Sequence, residues 1–296
     1  MSPELQHTLA GPAGFSGIAI HSGEHVRVVA RPAAADEGIR FLVQSASAGQ
    51  GLVPARSELV RSTKLGTTIA NSEGVAVATI EHLMAALWAL GIDNALIEID
   101  GGEVPVLDGS TRPIIAALEK GGRRPQRTAR QYIEVLEEVE VVEGERSARL
   151  SPAEGFEVAY EIDFDHPAVG RQKLDLIMDE AVFRAEIAAA RTFGFASDLD
   201  KLRACGLARG ASLDNVVAVG EEAVLNPEGL RWPDEFVRHK ILDAVGDLYL
   251  LGGPLIGRYH ARLGGHELND ALAKALLASP RSWRRVEAGG DLAQAG

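Results

Sequence analysis

Two short segments of the sequence carry side chains of the kind that bind a divalent metal. His239 and Asp243 lie four residues apart in EFVRHKILDAVGDL, and His82 directly follows Glu81 in TIEHLMAAL. Two imidazoles and one carboxylate can hold a divalent ion and leave one coordination position open for water. Cys205 is the only cysteine, so a cluster of thiolate ligands is excluded. The sequence therefore predicts a metal site of histidine and carboxylate ligands, beside an acidic residue that can take a proton from water.

The spacing of His239 and Asp243 places both side chains on one face of a helix, because residues four apart are neighbours on a helix surface. Taken alone, such a pair is more often an ordinary surface ion pair, which stabilises a helix only slightly. The apolar stripe of the same segment includes Ile241 and Val245, so the ligand face borders the buried side. Asp247, one turn further along, can orient a neighbouring group.

The pair Glu81 and His82 also has a purely structural interpretation. A glutamate near the positive end of a helix dipole is stabilising, and the histidine that follows it can be a partly buried core residue. Both segments together favour a metal site, but the same ligand types hold non-haem iron as well as zinc. An iron-dependent oxygenase is therefore one alternative, although no arginine stands out to bind its carboxylate co-substrate. A non-enzymatic scaffold that binds nucleic acid or protein is the other.

The composition is that of a globular protein and argues against nucleic-acid binding. The 296 residues are 46% hydrophobic and 24% charged, which is enough apolar material for one large domain or two ordinary ones. The formal net charge of −12 disfavours contact with phosphate backbones, which requires concentrated Lys and Arg. A single cysteine fits a reducing compartment. With no visible signal peptide and no apolar run near the roughly 20 residues of a membrane span, the sequence predicts a cytoplasmic protein.

The sequence divides into two halves of similar content. The segment LEKGGRRPQRTARQ combines glycines, a proline and arginines, and it predicts a linker at 122–130 between domains at 1–121 and 131–284. Each half contains the alternation typical of strands, as in HVRVVARP and FEVAYEIDF, and one long helix that bears a histidine. AVFRAEIAAARTFG predicts a further helix. Residues 285–296 have little apolar content and are predicted to form a disordered tail.

Five motifs together resemble one known enzyme family. In the same order as in the zinc-dependent UDP-3-O-acyl-N-acetylglucosamine deacetylases, the chain contains TIEHLMAALWALGIDN, EVPVLDGS, ARTFGF, DEFVRHKILDAVGDL and GGHELND. The resemblance runs from about His21 to about Trp283. It implies an α+β fold of two similar domains, each a small, mainly antiparallel sheet with helices, and the helices packed between the two sheets. It also implies the committed deacetylation of lipid A synthesis, with Zn²⁺, or Fe²⁺ in the same site, as cofactor.

The resemblance assigns a role to each matched residue of the site. The implied metal ligands are His82, His239 and Asp243. The implied catalytic residues are the general base Glu81, the general acid His266, its carboxylate partner Asp247 and the hydroxyl of Thr192 near the oxyanion. The implied substrate contacts are Lys240, His21, Phe193, Phe195, Leu199 and Ser212. Without the resemblance, His266, Thr192 and Lys240 would be interpreted as an ordinary loop histidine, a packing hydroxyl and a solvated cation.

The resemblance further implies that an insert at about 193–218 lines a passage for an acyl chain. Its sequence, FGFASDLDKLRACGLARGASL, supplies apolar side chains for such a passage, although these can equally form the core of a small insert. The implied substrate is a nucleotide-sugar lipid precursor, whose diphosphate requires a nearby cation such as Lys240. We expect the protein to act as a monomer, with no nucleic-acid partner and no transmembrane segment.

Overall fold

The computed structural model describes residues 4–47 and 49–287 and has the α+β architecture predicted from the sequence. Within these residues the chain forms six α-helices and 19 strands, and none of those helices is long and apolar enough to cross a membrane. The helices are α1 (Glu81–Ala89), α2 (Arg112–Leu118), α3 (Glu180–Val182), α4 (Leu199–Ala204), α5 (Glu235–Leu248) and α6 (His266–Leu277). The strands are β1 (Leu5–Leu9), β2 (Ala13–Ile18), β3 (His25–Pro32), β4 (Ile39–Val43), β5 (Leu52–Pro54), β6 (Val60–Ser62), β7 (Thr68–Ala70), β8 (Ala76–Val77), β9 (Ala95–Ile99), β10 (Arg123–Ala129), β11 (Gln131–Val135), β12 (Val139–Glu143), β13 (Arg146–Ser151), β14 (Phe156–Phe164), β15 (Gly170–Ile177), β16 (Phe193–Phe195), β17 (Val217–Val219), β18 (Leu255–Arg262) and β19 (Trp283–Glu287).

The N-terminal half is built on a five-stranded sheet in the order β2-β3-β9-β4-β5. Neighbouring strands are antiparallel except β4 and β9, which run parallel. The sequence of β3 shows why this region forms strands, because Val26, Val28 and Ala30 are buried while the residues between them are more exposed. A separate three-stranded sheet, β6-β7-β8, leads directly into α1.

The C-terminal half is built on a seven-stranded sheet around the long strand β18. This strand pairs antiparallel with β13 and parallel with β14, and its first residues also pair with β11. Outside these lie β12, β15 and β19. Every second residue of β18 is buried, which gives the sheet one face toward the helices and one toward solvent. Both α5 and α6 pack on strands of this sheet.

The helices α1 and α5 lie side by side in the core, between the two sheets as predicted. All nine residues of α1 are buried, which fits a helix that is apolar on nearly every face. On its other sides α5 packs against β14 and β15, and α2 packs against α1 and β2. Gly246 allows the close approach of α5, since a Cβ atom there would lie 2.0 Å from the carbonyl oxygen of Glu81. This contact brings the first turn of α1 beside the last turn of α5.

Two segments predicted to lack regular structure contain strands. The linker predicted at 122–130 is largely β10, which pairs antiparallel with β1. A strand can form here because pairing needs only backbone groups, and the side chains of Arg123, Arg124 and Arg127 stay exposed. That this segment links two domains stays a prediction. Residues 285–287 of the predicted tail belong to β19, which pairs with β11, and the rest of that tail lies outside the described residues. The domain bounds at 1–121 and 131–284 stay a prediction.

The helix predicted over 181–194 is shorter than expected. After α3 a single π-helical turn, Phe183–Ile187, ends the helical stretch. The carboxylate of Glu235 accepts hydrogen bonds from the backbone N–H of Arg191 at 3.0 Å and from its side chain at 2.9 Å. The N–H of Thr192 donates to a carbonyl of the N-terminal half at 2.8 Å. These partners from elsewhere replace the helical hydrogen bonds and hold this stretch of backbone beside the site.

Candidate metal centre and catalytic site

Three side chains from two helices converge at one point in the core. His82 lies in the first turn of α1, and His239 and Asp243 lie one turn apart on α5. The Nε2 atoms of His82 and His239 lie 3.6 Å and 3.3 Å from Oδ1 of Asp243. One ligand atom from each residue lies within 4.8 Å of the other two, and all three side chains are buried. The structure thus brings together the three residues predicted as metal ligands.

The chemical state of these groups fits a bound cation. Nδ1 of His239 donates to the carbonyl oxygen of Ala190 at 3.1 Å, which turns the lone pair of Nε2 toward the centre. Burial lowers the pKa of His239 to about 4, so its ring is neutral at neutral pH. Burial alone would raise the pKa of Asp243, but His239 and Lys240 bring that pKa well below its usual range. Oδ1 of Asp243 is buried without a hydrogen-bond partner in the described part of the chain, and a carboxylate oxygen in that state fits a metal ligand.

Glu81 lies beside the ligand set at the start of α1 and is almost fully buried. Its Oε2 accepts a hydrogen bond from the N–H of Thr67 at 2.9 Å, and its Oε1 lies 4.0 Å from Nε2 of His266. Burial raises the pKa of Glu81 above its ordinary value, because the charged form loses its water shell. A carboxylate of raised pKa is a stronger base, so this position suits a group that takes a proton from water.

His266 is the first residue of α6, and a carboxylate holds its ring in place. Nδ1 of His266 donates to Oδ2 of Asp247 at 2.8 Å, and Nδ2 of Asn269 donates to the same oxygen at 2.8 Å. The hydroxyl of Thr67 donates to the other oxygen, Oδ1, at 2.6 Å. Burial would lower the pKa of His266, but the charge and hydrogen bond of Asp247 raise it to about 9. The imidazole is therefore protonated at neutral pH and can donate a proton.

The remaining predicted polar residues lie around this centre. Lys240 donates to Oδ2 of Asp243 at 3.1 Å. This is not the oxygen described above as lacking a hydrogen-bond partner, which is Oδ1. The backbone of Thr192 is fixed between the two halves, and its side chain lines the space next to His82. Nε2 of His21 lies 2.9 Å from the carbonyl oxygen of Leu65, at the rim of the same space. Lys240 therefore contacts a metal ligand, whereas Thr192 and His21 line the space beside the ligands.

An apolar cavity of about 440 Å³ extends from the metal centre into the predicted insert. The insert forms the parallel pair β16 and β17, which α4 connects. Glu81, His82 and Thr192 lie at the polar end of the cavity. The predicted contacts Phe193, Phe195, Leu199, Ser212 and His21 all line it, together with Leu202, Leu213, Val216 and Leu225.

A second cleft of similar size, with both polar and apolar walls, reaches the same centre from another side. Its walls carry the cationic side chains of Lys64, Arg146 and Lys240, together with Glu267, which pairs with Arg146 at 3.2 Å. The metal ligands and His266 also lie on this cleft, and Glu81, His82, Thr192 and Phe193 line both spaces. The reactive groups thus lie where an apolar cavity meets a cleft that contains lysine and arginine side chains, which suits a substrate with an acyl chain and an anionic group.

Sequence reasoning missed two residues that hold the centre together. Asn269 lies one helical turn after His266, inside the motif GGHELND, so its spacing was a usable signal. Thr67 lies 14 residues before Glu81 in the chain, and no periodicity connects the two positions. Its role follows only from the fold, which brings the segment before β7 against both Glu81 and Asp247.

Comparison with known proteins agrees with this geometry. The chain matches the family model described as UDP-3-O-acyl N-acetylglycosamine deacetylase over residues 6–278. It is 52% identical over 291 residues to the UDP-3-O-acyl-N-acetylglucosamine deacetylase of Phenylobacterium zucineum (strain HLK1), covering 98% of this chain and 99% of that protein. Proteins of the same name from Anaeromyxobacter sp. (strain Fw109-5) and Syntrophotalea carbinolica (strain DSM 2380 / NBRC 103641 / GraBd1) are 44% and 45% identical, covering 97% and 96% of this chain and 93% and 91% of theirs. The resemblance predicted from the motifs is confirmed, and the chain belongs to the UDP-3-O-acyl N-acetylglycosamine deacetylase family.

Proposed function

We propose that the protein is a metal-dependent amidohydrolase that removes the N-acetyl group from UDP-3-O-acyl-N-acetylglucosamine and releases acetate. This is the committed step of lipid A biosynthesis. The observation that carries the proposal is the convergence of His82, His239 and Asp243 beside the buried pair Glu81 and His266. The relatives described above bear the name of this activity.

The metal that we propose is Zn²⁺, held by His82, His239 and Asp243. Two neutral imidazoles and one carboxylate are a donor set of catalytic zinc sites, and Fe²⁺ can occupy the same set. When bound, zinc supplies a Lewis acid that lowers the pKa of water to about 7 and polarises the carbonyl of the amide. The side chains around it must then move the protons and hold the substrate.

Glu81 is the residue that we assign as general base. Its carboxylate would accept the proton of the water that attacks the acetyl carbonyl. The base acts only when it is deprotonated, and burial raises its pKa, so the rate should fall as the pH drops through a value above the usual glutamate range. The hydrogen bond from Thr67 to Oε2 leaves Oε1, the oxygen nearer His266, to receive the proton.

His266 is the residue that we assign as general acid. Its protonated ring faces Glu81 through Nε2 and is anchored through Nδ1, so Nε2–H is the atom that would protonate the departing sugar amine. Asp247 keeps the ring charged and oriented. The hydroxyl of Thr192 and the positive charge of His266 would stabilise the oxygen of the tetrahedral intermediate, where negative charge develops.

The two spaces that meet at the centre match the two ends of the substrate. The acyl chain would lie in the cavity formed by the insert at 193–218, against Phe193, Phe195 and Leu199. The nucleotide diphosphate would lie in the second cleft, where the ammonium group of Lys240 is 3.1 Å from the metal ligand Asp243. His21 and Ser212 would contact the substrate at the cavity rim. The cytoplasmic location and the monomeric state stay predictions from the sequence.

A deacetylation assay with controlled metal content tests this function. The purified protein should release acetate from UDP-3-O-acyl-N-acetylglucosamine, lose this activity in a chelator, and regain it on addition of one equivalent of Zn²⁺. Metal analysis of the protein as isolated, with parallel reconstitution by Fe²⁺, identifies the ion that it carries. Activity that survives complete removal of metal would contradict the proposal.

A further inference from the structure

One residue of the N-terminal half contacts both the proposed base and the carboxylate that holds the proposed acid. Thr67 precedes β7 and is only 2% exposed. Its backbone N–H donates to Oε2 of Glu81 at 2.9 Å, and its hydroxyl donates to Oδ1 of Asp247 at 2.6 Å. Asp247 in turn accepts a hydrogen bond from Nδ1 of His266. The two hydrogen bonds of Thr67 therefore connect the proposed base, Glu81, to the carboxylate that holds the proposed acid, His266. None of the other residues in the described ranges donates to both carboxylates.

The backbone on both sides of Thr67 is fitted closely around Glu81. Gly66 has a φ of +149°, and a Cβ atom there would lie 2.9 Å from Oε1 of Glu81. A side chain at this position would therefore collide with the carboxylate, whereas glycine lets the backbone pass beside it. The carbonyl oxygen of Thr67 accepts a hydrogen bond from the N–H of Ile80 at 3.2 Å. The segment is thus anchored to the residue before the base.

The hydroxyl of Thr67 determines which oxygen of Asp247 remains for His266. A hydroxyl has one hydrogen to donate, and here it points to Oδ1. Oδ2 then accepts from His266 and from Asn269, so both carboxylate oxygens have partners in a buried site. Without the hydroxyl, Oδ1 would be left unpaired, and the carboxylate would be free to rotate toward other donors.

We propose that Thr67 is a positioning residue that fixes Glu81 and His266 at the separation and orientation that proton transfer requires. The effect on kcat that we expect from this role rests on the proposed function, since Thr67 itself does not touch the reacting atoms. Thr67 lies in the N-terminal half and Asp247 on α5 in the C-terminal half, so the bond also links the packing of the two halves to the alignment of the pair.

Replacement of the hydroxyl by a methyl group tests this role with little change in volume. We expect Thr67→Val to lower kcat by about 10- to 100-fold, the loss typical of residues that orient a metal-site group, with KM and zinc content unchanged. Thr67→Ser restores the hydroxyl and should recover most of kcat. Thr68→Val is the matched control, because this neighbouring threonine is half-buried in β7 and is not among the described residues that donate a hydrogen bond to Glu81 or Asp247. If Thr67→Val does not fold, Thr67→Ala against Thr67→Ser gives the same comparison.

A spectroscopic measurement makes the test independent of turnover. In protein with ¹⁵N-labelled histidine, the Nδ1–H resonance of His266 reports its hydrogen bond to Asp247, with or without zinc. We expect this resonance to shift or broaden in Thr67→Val and to be native in Thr67→Ser and Thr68→Val. A native resonance together with native kcat in Thr67→Val would overturn the role of Thr67. Failure of the proposed function would look different, because the wild-type protein itself would then release no acetate.

Discussion

The acid–base centre and the apolar cavity meet at the same point, but they are held by different forces. In the centre, Asp247 accepts three hydrogen bonds, each between 2.6 and 2.8 Å. In the cavity, Phe193 is half-buried and packs edge to face on Phe236, with ring centroids 4.9 Å apart. Hydrogen bonds have narrow geometry, whereas apolar contacts have no preferred direction. The centre therefore requires one arrangement, and the cavity can accept several.

The two regions also differ in how the chain assembles them. The centre draws on the segment before β7, α1, α5 and α6, which are far apart in sequence. The cavity comes largely from one continuous segment, 193–218. The centre therefore depends on the packing of the whole core, including the contact at Gly246, while the insert can change its lining without moving the reactive groups. Rate and substrate preference should accordingly respond to different substitutions.

Loss of a metal ligand should produce the largest effect in the centre. We expect His82→Ala, His239→Ala and Asp243→Ala each to abolish tight zinc binding and activity while the protein stays folded, because each removes one of three donors. Metal analysis after dialysis and circular dichroism measure the two properties. Glu81→Ala is the matched control, since this residue is equally buried and adjacent to His82 but is not a ligand in the proposed scheme. It should keep its zinc and lose about 10²–10⁴-fold in rate. Stoichiometric zinc in any two of the ligand variants would contradict the assignment.

Loss of the acyl chain should produce the next largest effect, through the cavity alone. Burial of five methylene groups contributes about 4 kcal/mol at about 0.8 kcal/mol each, so a substrate without the chain should lose about a thousandfold in kcat/KM. Leu199→Ala should lower turnover of the acylated substrate and leave turnover of the non-acylated substrate unchanged. Leu136→Ala is the control, because this leucine is exposed and lies away from the cavity, and it should change turnover of neither substrate. Equal turnover of the two substrates by the wild-type protein would show that the insert only packs.

The same contrast explains how much of the site the sequence predicts. Spacing places His239 and Asp243 on one helix face, and alternation predicts strands such as β3, because both patterns are local. The motifs then identify His266, whose environment no local pattern reveals. Thr67 and the non-helical path of Arg191 could not be predicted, since both depend on hydrogen bonds to residues far away in the chain. For the same reason no local pattern predicts β10, since its partner β1 lies more than 100 residues earlier in the chain.

A change in the pH dependence should be the smallest effect, and it tests the electrostatics of the centre. A general acid works in its protonated form, and the pKa of His266 is about 9, so the rate should fall as the pH rises through about 9. Asp247→Asn removes the negative charge that favours the imidazolium. The basic limb should therefore move to lower pH, by about one pH unit or more, while zinc content is unchanged. The profile of kcat/KM against pH measures the limb.

His266→Ala separates this acid from other cations near the site. The variant should keep its zinc, lose about 10²–10⁴-fold in rate and show no basic limb near pH 9, because the group that titrates there is absent. Lys240 is the other cation close to the ligands, at 3.1 Å from Asp243. If the limb persists unchanged in His266→Ala, the proton comes from another group, and Lys240→Met should then remove it. If the basic limb disappears in His266→Ala and persists in Lys240→Met, His266 supplies the proton, and Lys240 acts only in binding the substrate.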